Sequence, residues 1–537
     1  MAYEHTTLVV GDFSTGLVSA VAPNHIPEGA AAVANNVRFR IGELQKIWGW
    51  ITVGVADPSE FPITILIDAD PQVVDGPVRL VIVFQAFTEQ YENLLGTTKS
   101  IWYQSPSSGT YEPLTCALPI VPPAATVTYS VPDDAQWSAC FGLGKMYLSD
   151  YADPILVYTG SGATPTVLSA DAPLARVIRF FYSHLMAMDV IFSDTTVQRQ
   201  CIQWSDINDP TDWVSTESNE AGFLPLIEGP DAVMTGEVLG NYFAVYKEYS
   251  IHLLTYQGYP YVFSRQQIVF NEGPVGWYAV ANLYTYHVFL GHENFYKFDG
   301  TQITPIGDNI RDQFFALASH ECLPRTYTVV DRKREEVLWV FCSTSSAGIH
   351  DQCVFMNYRT NAWGFRTFPF TSAGPFVGTV AIDDVWDDDQ NNWDSDTTVW
   401  DDTSQTDLNF NYLLGGDSNG AISLLEVNPD VNDQAFVGVY TSRLYDYGSL
   451  DNIKHVNRFR LGFRQRTGSL QVEVGYTNDP NNPVTWLAPI ILLPTQNRVD
   501  FRMAARYFQY RISNVDAGSD FRVFEYAPSI RGMEEER

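Results

Sequence analysis

Three groups of residues in this sequence have types and spacings that could do chemistry. The densest is the acidic run Asp383–Asp402, where Trp386, Trp393 and Trp400 fall seven apart and each is followed by Asp. Carboxylates at that density suit Ca²⁺, which takes roughly six to eight hard oxygen ligands. A solvated acidic loop accounts for them better, and a loop facing a channel or a partner is the further alternative. The D-x-[DN]-x-[DN]-G pattern with its distal Glu is absent. Asp, Asn, Ser and Thr are poor helix-interior residues, so a loop or short β turns anchored by the Trp residues is expected. The second group is histidine. His287 and His292 lie five apart on one hairpin segment, and His320-Glu321 begins like a zinc-protease motif. Cys322, Leu323 and Pro324 follow, and Pro breaks the helix that H-E-x-x-H requires. The third group is six cysteines (Cys116, Cys140, Cys201, Cys322, Cys342, Cys353) with no C-x-x-C pair. That scatter reads as buried free thiols, not as a disulfide framework or a zinc site.

The remaining catalytic patterns fail on context. FGLGKMY (Phe141–Tyr147) contains Gly-Lys but leads into a strand, whereas a phosphate loop opens a helix. No G-x-S-x-G elbow occurs, and SDTTVW (Ser395–Trp400) only faintly echoes the boxes of propeller sialidases. Carboxylate pairs are too plentiful to single out a glycosidase acid and base. Arg458, Phe459, Arg460, Phe463, Arg464 and Arg466 interleave base and aromatic, which could stack on nucleic acid. The same residues read as a strand with an Arg face that docks onto acidic neighbours. No catalytic, cofactor-binding or metal-ligating residue is assigned, and the chain reads as a non-enzyme.

The segment Cys201–Phe223, CIQWSDINDPTDWVSTESNEAGF, could first be taken for chemistry because of its Asp and Ser residues. No base, nucleophile or metal partner goes with them. Asn, Asp and Pro punctuate the segment by bonding nearby backbone or by fixing φ, so it is expected to be turn chemistry closing a blade, with Trp204 and Trp213 as packing anchors.

The elements that must position these residues are strands. In 537 residues, aromatics are 14% and charged residues 18%, with 37 Gly and 30 Pro, which favours short strands and tight turns in a globular chain. About seven hairpins are expected between Val78 and Glu426, among them GKMYLSD to PILVYTG, HLMAMDVIFSD to QRQCIQW, and REEVLWVFCS to QCVFMNYRTNAWGF. A hairpin cannot bury both faces alone; radial packing of neighbours does, which favours a β-propeller over sandwiches in series. Short helices are expected at Pro27–Asn35 (PEGAAAVAN) and Asn309–Ser319 (NIRDQFFALAS). From about Val437, alternation with one polar face predicts a β-sandwich. The expected fold is therefore all-β, a β-propeller with a C-terminal β-sandwich. Residues 1–50 form an N-terminal arm with a short helix, residues 51–435 the propeller with its acidic insertion near 383–402, and residues 436–537 the sandwich.

The net charge is −31. It argues against a DNA-binding surface, which needs clustered Lys or Arg. The charge is uneven: Thr441–Arg537 holds 13 Lys+Arg against 11 Asp+Glu, or +2, which leaves −33 for the rest. The opening MAYEHTTLVVGDF has no basic n-region, and no apolar run is long enough to span a membrane, so assembly in a cytoplasm is expected.

Four segments together resemble one family. NNVRFRIGELQKIWGW (Asn35–Trp50) resembles an N-terminal Asn-Val-Arg-x-Arg-x-Gly signature, and Cys201–Phe223 resembles a WSD-x-x-x-P-x-DW loop followed by N-x-AGF. GHENFYKFDGTQITPIGDNIRDQFF (Gly291–Phe315) and VFMNYRTNAWGF (Val354–Phe365) resemble two further blade segments. The family is that of the tail nozzle, or tail tubular protein B-like, proteins of short-tailed bacteriophages, with the tail-stabilising accessory proteins of related phages. The chain departs from its pattern at KIWGW, where many relatives place Arg-Pro-Gly, and in the acidic insertion. The resemblance implies a structural virion protein, a homo-oligomeric ring (usually a hexamer) at the distal end of the tail, assembled in the host cytoplasm. It implies contacts with a tail adaptor protein and with tail fibres or spikes, and a lumen that passes genome DNA without specific binding. An acidic lumen would keep DNA off the wall, an effect screened within roughly 8–10 Å at physiological salt. The alternatives are a carbohydrate-binding propeller for host attachment, with exposed Trp213 or Trp393 stacking on sugars, or a glycoside hydrolase.

Overall fold

The structure is a computed structural model that describes residues 5–52, 74–85, 91–104, 111–115, 118, 128–378 and 409–532. The acidic run Asp383–Asp402, SDTTVW with its neighbouring Trp residues, and Cys116 lie outside the described residues. The fold is all-β: β-propeller blades together with a C-terminal β-sandwich. The chain divides into two compact units, Met1–Ile51 with Gly229–Phe370 and Leu425–Arg537, and Thr52–Glu228 with Thr371–Leu424.

The second unit is built from four antiparallel four-stranded sheets. The first three run through Val78–Pro113, Ser138–Val167 and Leu174–Pro225 in chain order. The fourth comprises Ser372–Gly378, Asn409–Gly416 and Ile422–Leu425, with Trp50–Thr52, in which the division between units falls, as its last strand. The hairpins close by local chemistry. Tyr182 and Ser183 both take positive φ between Phe181 and His184, the geometry of a two-residue hairpin turn that matches strand twist. Leu143 and Gly144 do the same between Gly142 and Lys145, so FGLGKMY is a hairpin turn and not a phosphate loop. Inner strands are buried on both faces: in His184–Ile191 the first seven residues are all buried, whereas the outer strand Gly222–Pro225 alternates with solvent.

The first unit holds three more sets of four strands, through Val233–Phe270, Val280–Pro305 and Tyr327–Thr367. Its two-turn α-helix, Arg311–Leu317, falls where one was expected and buries Phe314. The last of these sets continues into a ten-stranded sheet. Its strand Trp363–Thr367 pairs in parallel with Ala31–Asn35, which pairs antiparallel with Val439–Ser442, and the sheet proceeds through Tyr507–Asn514 to Leu470–Thr477. A six-stranded sheet forms the other layer of the sandwich, in the order Val37–Arg40, Glu43–Lys46, Asp520–Gly532, Lys454–Thr467 and Arg498–Ala505, with His5–Thr7 on the third of these. Tyr440, Phe459, Val472, Phe508, Tyr510, Val523 and Tyr526 fill the core. The tyrosine hydroxyls here find each other, as Tyr440 with Tyr526 at 3.4 Å and Tyr510 with the neighbouring Tyr447 at 2.6 Å, because a buried phenol needs a partner.

Among the described residues, 5–50 do not form an arm with a short helix. PEGAAAVAN is a turn followed by the strand Ala31–Asn35, and Val37–Arg40 and Glu43–Lys46 belong to the sandwich. The alanines are there for close packing, since Ala30, Ala31 and Ala34 are fully buried beside neighbouring strands. Gly29 has φ +82° and a Cβ there would sit 1.6 Å from the Asp12 carbonyl oxygen, so only glycine fits the approach. A nine-residue helix is marginal by itself, and a sheet partner 400 residues away outweighs its propensity.

Candidate functional site

Two regions of the described residues stand out among those where the fold brings charged side chains together. The first is a buried ion hub in the first unit. Arg38 lies on Val37–Arg40, Asp331 and Glu336 face each other at the base of a hairpin, Arg334 sits in that hairpin's turn, Arg366 is on Trp363–Thr367, and Glu426 follows Ile422–Leu425. Arg38 grips Glu336 with both Nε and Nη2, the latter at 2.9 Å, and reaches both Glu426 oxygens at 3.0 Å. Arg334 Nε and Arg366 Nη1 each come to 2.6 Å from Glu426, and Arg334 Nη1 to 2.8 Å from Asp331. Three guanidinium groups and three carboxylates thus sum to zero, with side chains 1–11% exposed.

Glu426 is the centre of the hub. It takes a left-handed φ of 57°, and its N–H donates to the Gly49 carbonyl at 2.7 Å, which fixes its direction. Burial by itself would raise its pKa, but Arg38, Arg334 and Arg366 outweigh burial and hold it well below the usual carboxylate range. Glu336 goes the other way: burial raises it, and Glu426 and Asp331 nearby add to that against the pull of Arg38. Every carboxylate here is engaged by an arginine. An Arg stays protonated throughout, so the six side chains form a closed, neutral network inside the first unit.

The second region is the loop Ser205–Ala221 between two strands of the third sheet. Asp206 accepts from the Glu220 N–H at 2.7 Å, and Asp209 from the Thr211 N–H and hydroxyl. Asn219 bridges Asp212 and the Val214 carbonyl at 2.8 Å each. Trp213 is 3% exposed and its indole N–H donates to the Pro210 carbonyl at 2.7 Å; Trp204 donates to the Glu220 carbonyl at 2.8 Å. Trp204 and Trp213 are packing anchors, as expected, and the buried Trp213 ring offers no face for a sugar. His184 lies beneath the loop, Nδ1 2.7 Å from the Ser205 carbonyl and Nε2 3.3 Å from Glu220. The Ser205 hydroxyl accepts from the Leu185 N–H and donates to the Asp206 carbonyl, so Ser205, His184 and Glu220 do not form a nucleophile triad.

The other residues raised by the sequence lie apart. His287 is buried: Nε2 donates to the Val238 carbonyl at 3.1 Å, so Nδ1 accepts from the Tyr246 hydroxyl at 2.7 Å, and burial lowers its pKa. His292 stacks on Tyr249 at 4.7 Å instead. His320, Glu321 and Pro324 sit in the 3₁₀ turn His320–Arg325. Cys140, Cys201, Cys322, Cys342 and Cys353 are free thiols, and burial pushes Cys201 and Cys342 up to about 12. Among the described residues, no group of three His, Cys, Asp or Glu is placed to hold a metal ion. None of their helices is long and apolar enough to cross a membrane. An open cavity of about 480 Å³ is lined by Asp12, Ser14, Ile41, Gly42 and Thr360, and its single carboxylate already accepts from the Ser14 N–H.

Sequence reasoning quoted Arg38 inside NNVRFR but missed the rest of the hub. The signal was a charge at a strand position where apolar neighbours demand burial, as Glu336 in EEVLWVF and Arg366 in WGFRTF.

No family model matches the chain, and no curated protein is similar to it. Among solved structures it is similar to the Pan2 WD40 domain of Neurospora crassa, at 11% identity over 71% of this chain and 96% of that one, with TM-score 0.31. It is also similar to YCF48 from Cyanidioschyzon merolae (8%, 51% and 84%, TM-score 0.27) and to an exo-β-1,3-galactanase from Phanerochaete chrysosporium (7%, 77% and 99%, TM-score 0.27). TM-scores of this size carry no argument about what the chain does.

Proposed function

We propose that the chain is a structural virion protein, a subunit of the ring at the distal end of a short-tailed phage tail, forming and sealing the channel for genome ejection. The observation that carries this reading is where the family-like segments go. Three of the four, Asn35–Trp50, Gly291–Phe315 and Val354–Phe365, meet in one core: Phe39, Phe295, Phe314 and Trp363 belong to it, and Phe295 lies 4.9 Å from both Phe314 and Trp363. The fourth is the self-bonded loop with its buried Trp213. Motif residues devoted to packing and turns suit a protein that acts as a wall. Arg38, from the first segment, also anchors the ion hub, which stiffens the junction of blade and sandwich in the first unit.

Partners on this reading are further copies of the chain, a tail adaptor, and fibres or spikes; DNA passes without specific contact. The test is native mass spectrometry with electron microscopy of the purified chain and of tails. A closed ring of identical subunits, and the same ring at the tail tip, is the expected result. A chain that stays monomeric at every concentration and is missing from particles overturns the proposal.

A further inference from the structure

One face of the molecule carries charge against the sign of the whole. In the six-stranded sheet, Lys454–Thr467 pairs with the edge strand Arg498–Ala505, placing Arg458 opposite Asp500 and Arg460 opposite Arg498. Arg458, Arg460, Arg498, Asp500 and Arg502 are exposed while Val456, Phe459, Leu461, Val499 and Ala505 are buried, so the five charged side chains share the solvent side. On these two strands four Arg against one Asp give +3 in a chain of −31. Asp500 is taken by Arg458 at 2.8 Å and by Arg498 at 3.6 Å, which leaves Arg460 and Arg502 without an ion pair among the described residues. Like charges directly opposite one another destabilise a sheet, so Arg460 and Arg498 favour an acidic neighbour.

We propose that this face docks a second copy of the chain through its loop Ser205–Ala221. That loop carries Asp206, Asp209, Asp212, Glu217 and Glu220 and no Lys or Arg, with Asp209 and Glu217 exposed. Its backbone is already held by its own hydrogen bonds, so docking orders little more of it. Complementary charge of this kind steers association and fixes register. Joining two different surfaces makes a heterologous contact, which closes into a ring when the rotation allows. Nucleic acid fits less well, because the Arg footprint is small and the rest of the chain repels phosphate. The inference rests on the ring reading and names the interface of that ring.

The test is a charge swap read by sedimentation and native mass spectrometry at 0.1 and 0.5 M NaCl, with circular dichroism to confirm folding. Arg460→Glu with Arg498→Glu, and separately Asp209→Lys with Glu217→Lys, should each weaken association by about tenfold or more. A chain with all four changes should associate again, which a merely structural role would not produce. Rings that persist in both double variants overturn this interface and leave the ring reading standing. A wild-type chain that forms no ring removes the ring reading and the interface with it. Wild-type binding of a single-stranded oligonucleotide that is lost in the Arg double variant, with ring assembly unchanged, makes nucleic acid the occupant and overturns the proposal.

Discussion

The ion hub and the third-sheet loop are both rich in carboxylates, yet they use them in opposite ways. In the hub, Glu426 and Glu336 are buried and balanced by Arg38, Arg334 and Arg366 from distant parts of the chain. In the loop, Asp206, Asp209 and Asp212 accept from backbone and side-chain donors within fifteen residues, at or near the surface. A buried charge depends on its tertiary partners, whereas a turn carboxylate depends on its sequence neighbours. Removing one hub partner strands an uncompensated charge; removing one turn carboxylate leaves backbone that water can serve.

The comparison breaks most sharply at Glu426. Glu426→Ala should cost about 3–5 kcal/mol in denaturant unfolding, because three buried guanidinium groups lose their shared partner. The same residue sets an acid dependence. Its folded pKa is depressed, so its contribution is fully present above the unfolded value near 4.3 and is lost as pH falls through the folded one. Glu426→Gln should flatten the fall in stability below about pH 4.3, measured as melting temperature against pH. An unchanged acid limb would mean that the hub is not the acid-sensitive element.

In the loop the large effect should come from packing, not charge. Trp213→Ala should cost about 3 kcal/mol through loss of a buried indole from the core of the third sheet. His287 tests the same principle with a neutral pair: burial lowers its pKa, so stability should fall as pH drops below about 6.5, where the unfolded chain takes up the proton first. His287→Phe should remove that dependence and cost about 1–3 kcal/mol by leaving the Tyr246 hydroxyl unpaired. The smallest change is expected for Asp209→Ala, about 0.5–1 kcal/mol, since only the exposed bonds to Thr211 are lost.

What was legible in the sequence followed from locality. The inner strands of the blades stand out because both faces are buried and their apolar runs are nearly continuous, as in HLMAMDVI and EVLWVF. Outer strands such as Thr166–Val167 and Gly222–Pro225 are short and exposed, so they carry little periodicity and went unread. The loop at Ser205–Ala221 was readable because its Asx residues bond two to fourteen positions away. The hub was not, since Arg38 meets Glu336 across 298 residues and Glu426 across 388.

By itself, then, the sequence determined the strand-rich class, most inner hairpins, the helix at Arg311–Leu317 and the turn role of the Trp204–Trp213 segment, all products of short-range pattern and turn chemistry. Tertiary structure decided that Ala31–Asn35 is a strand, that Val37–Arg40 and Glu43–Lys46 complete the sandwich, and that three arginines and three carboxylates from four parts of the chain neutralise one another. The reason is physical: sheet pairing and ion pairing reward proximity in space, which neither propensity nor spacing along the chain encodes.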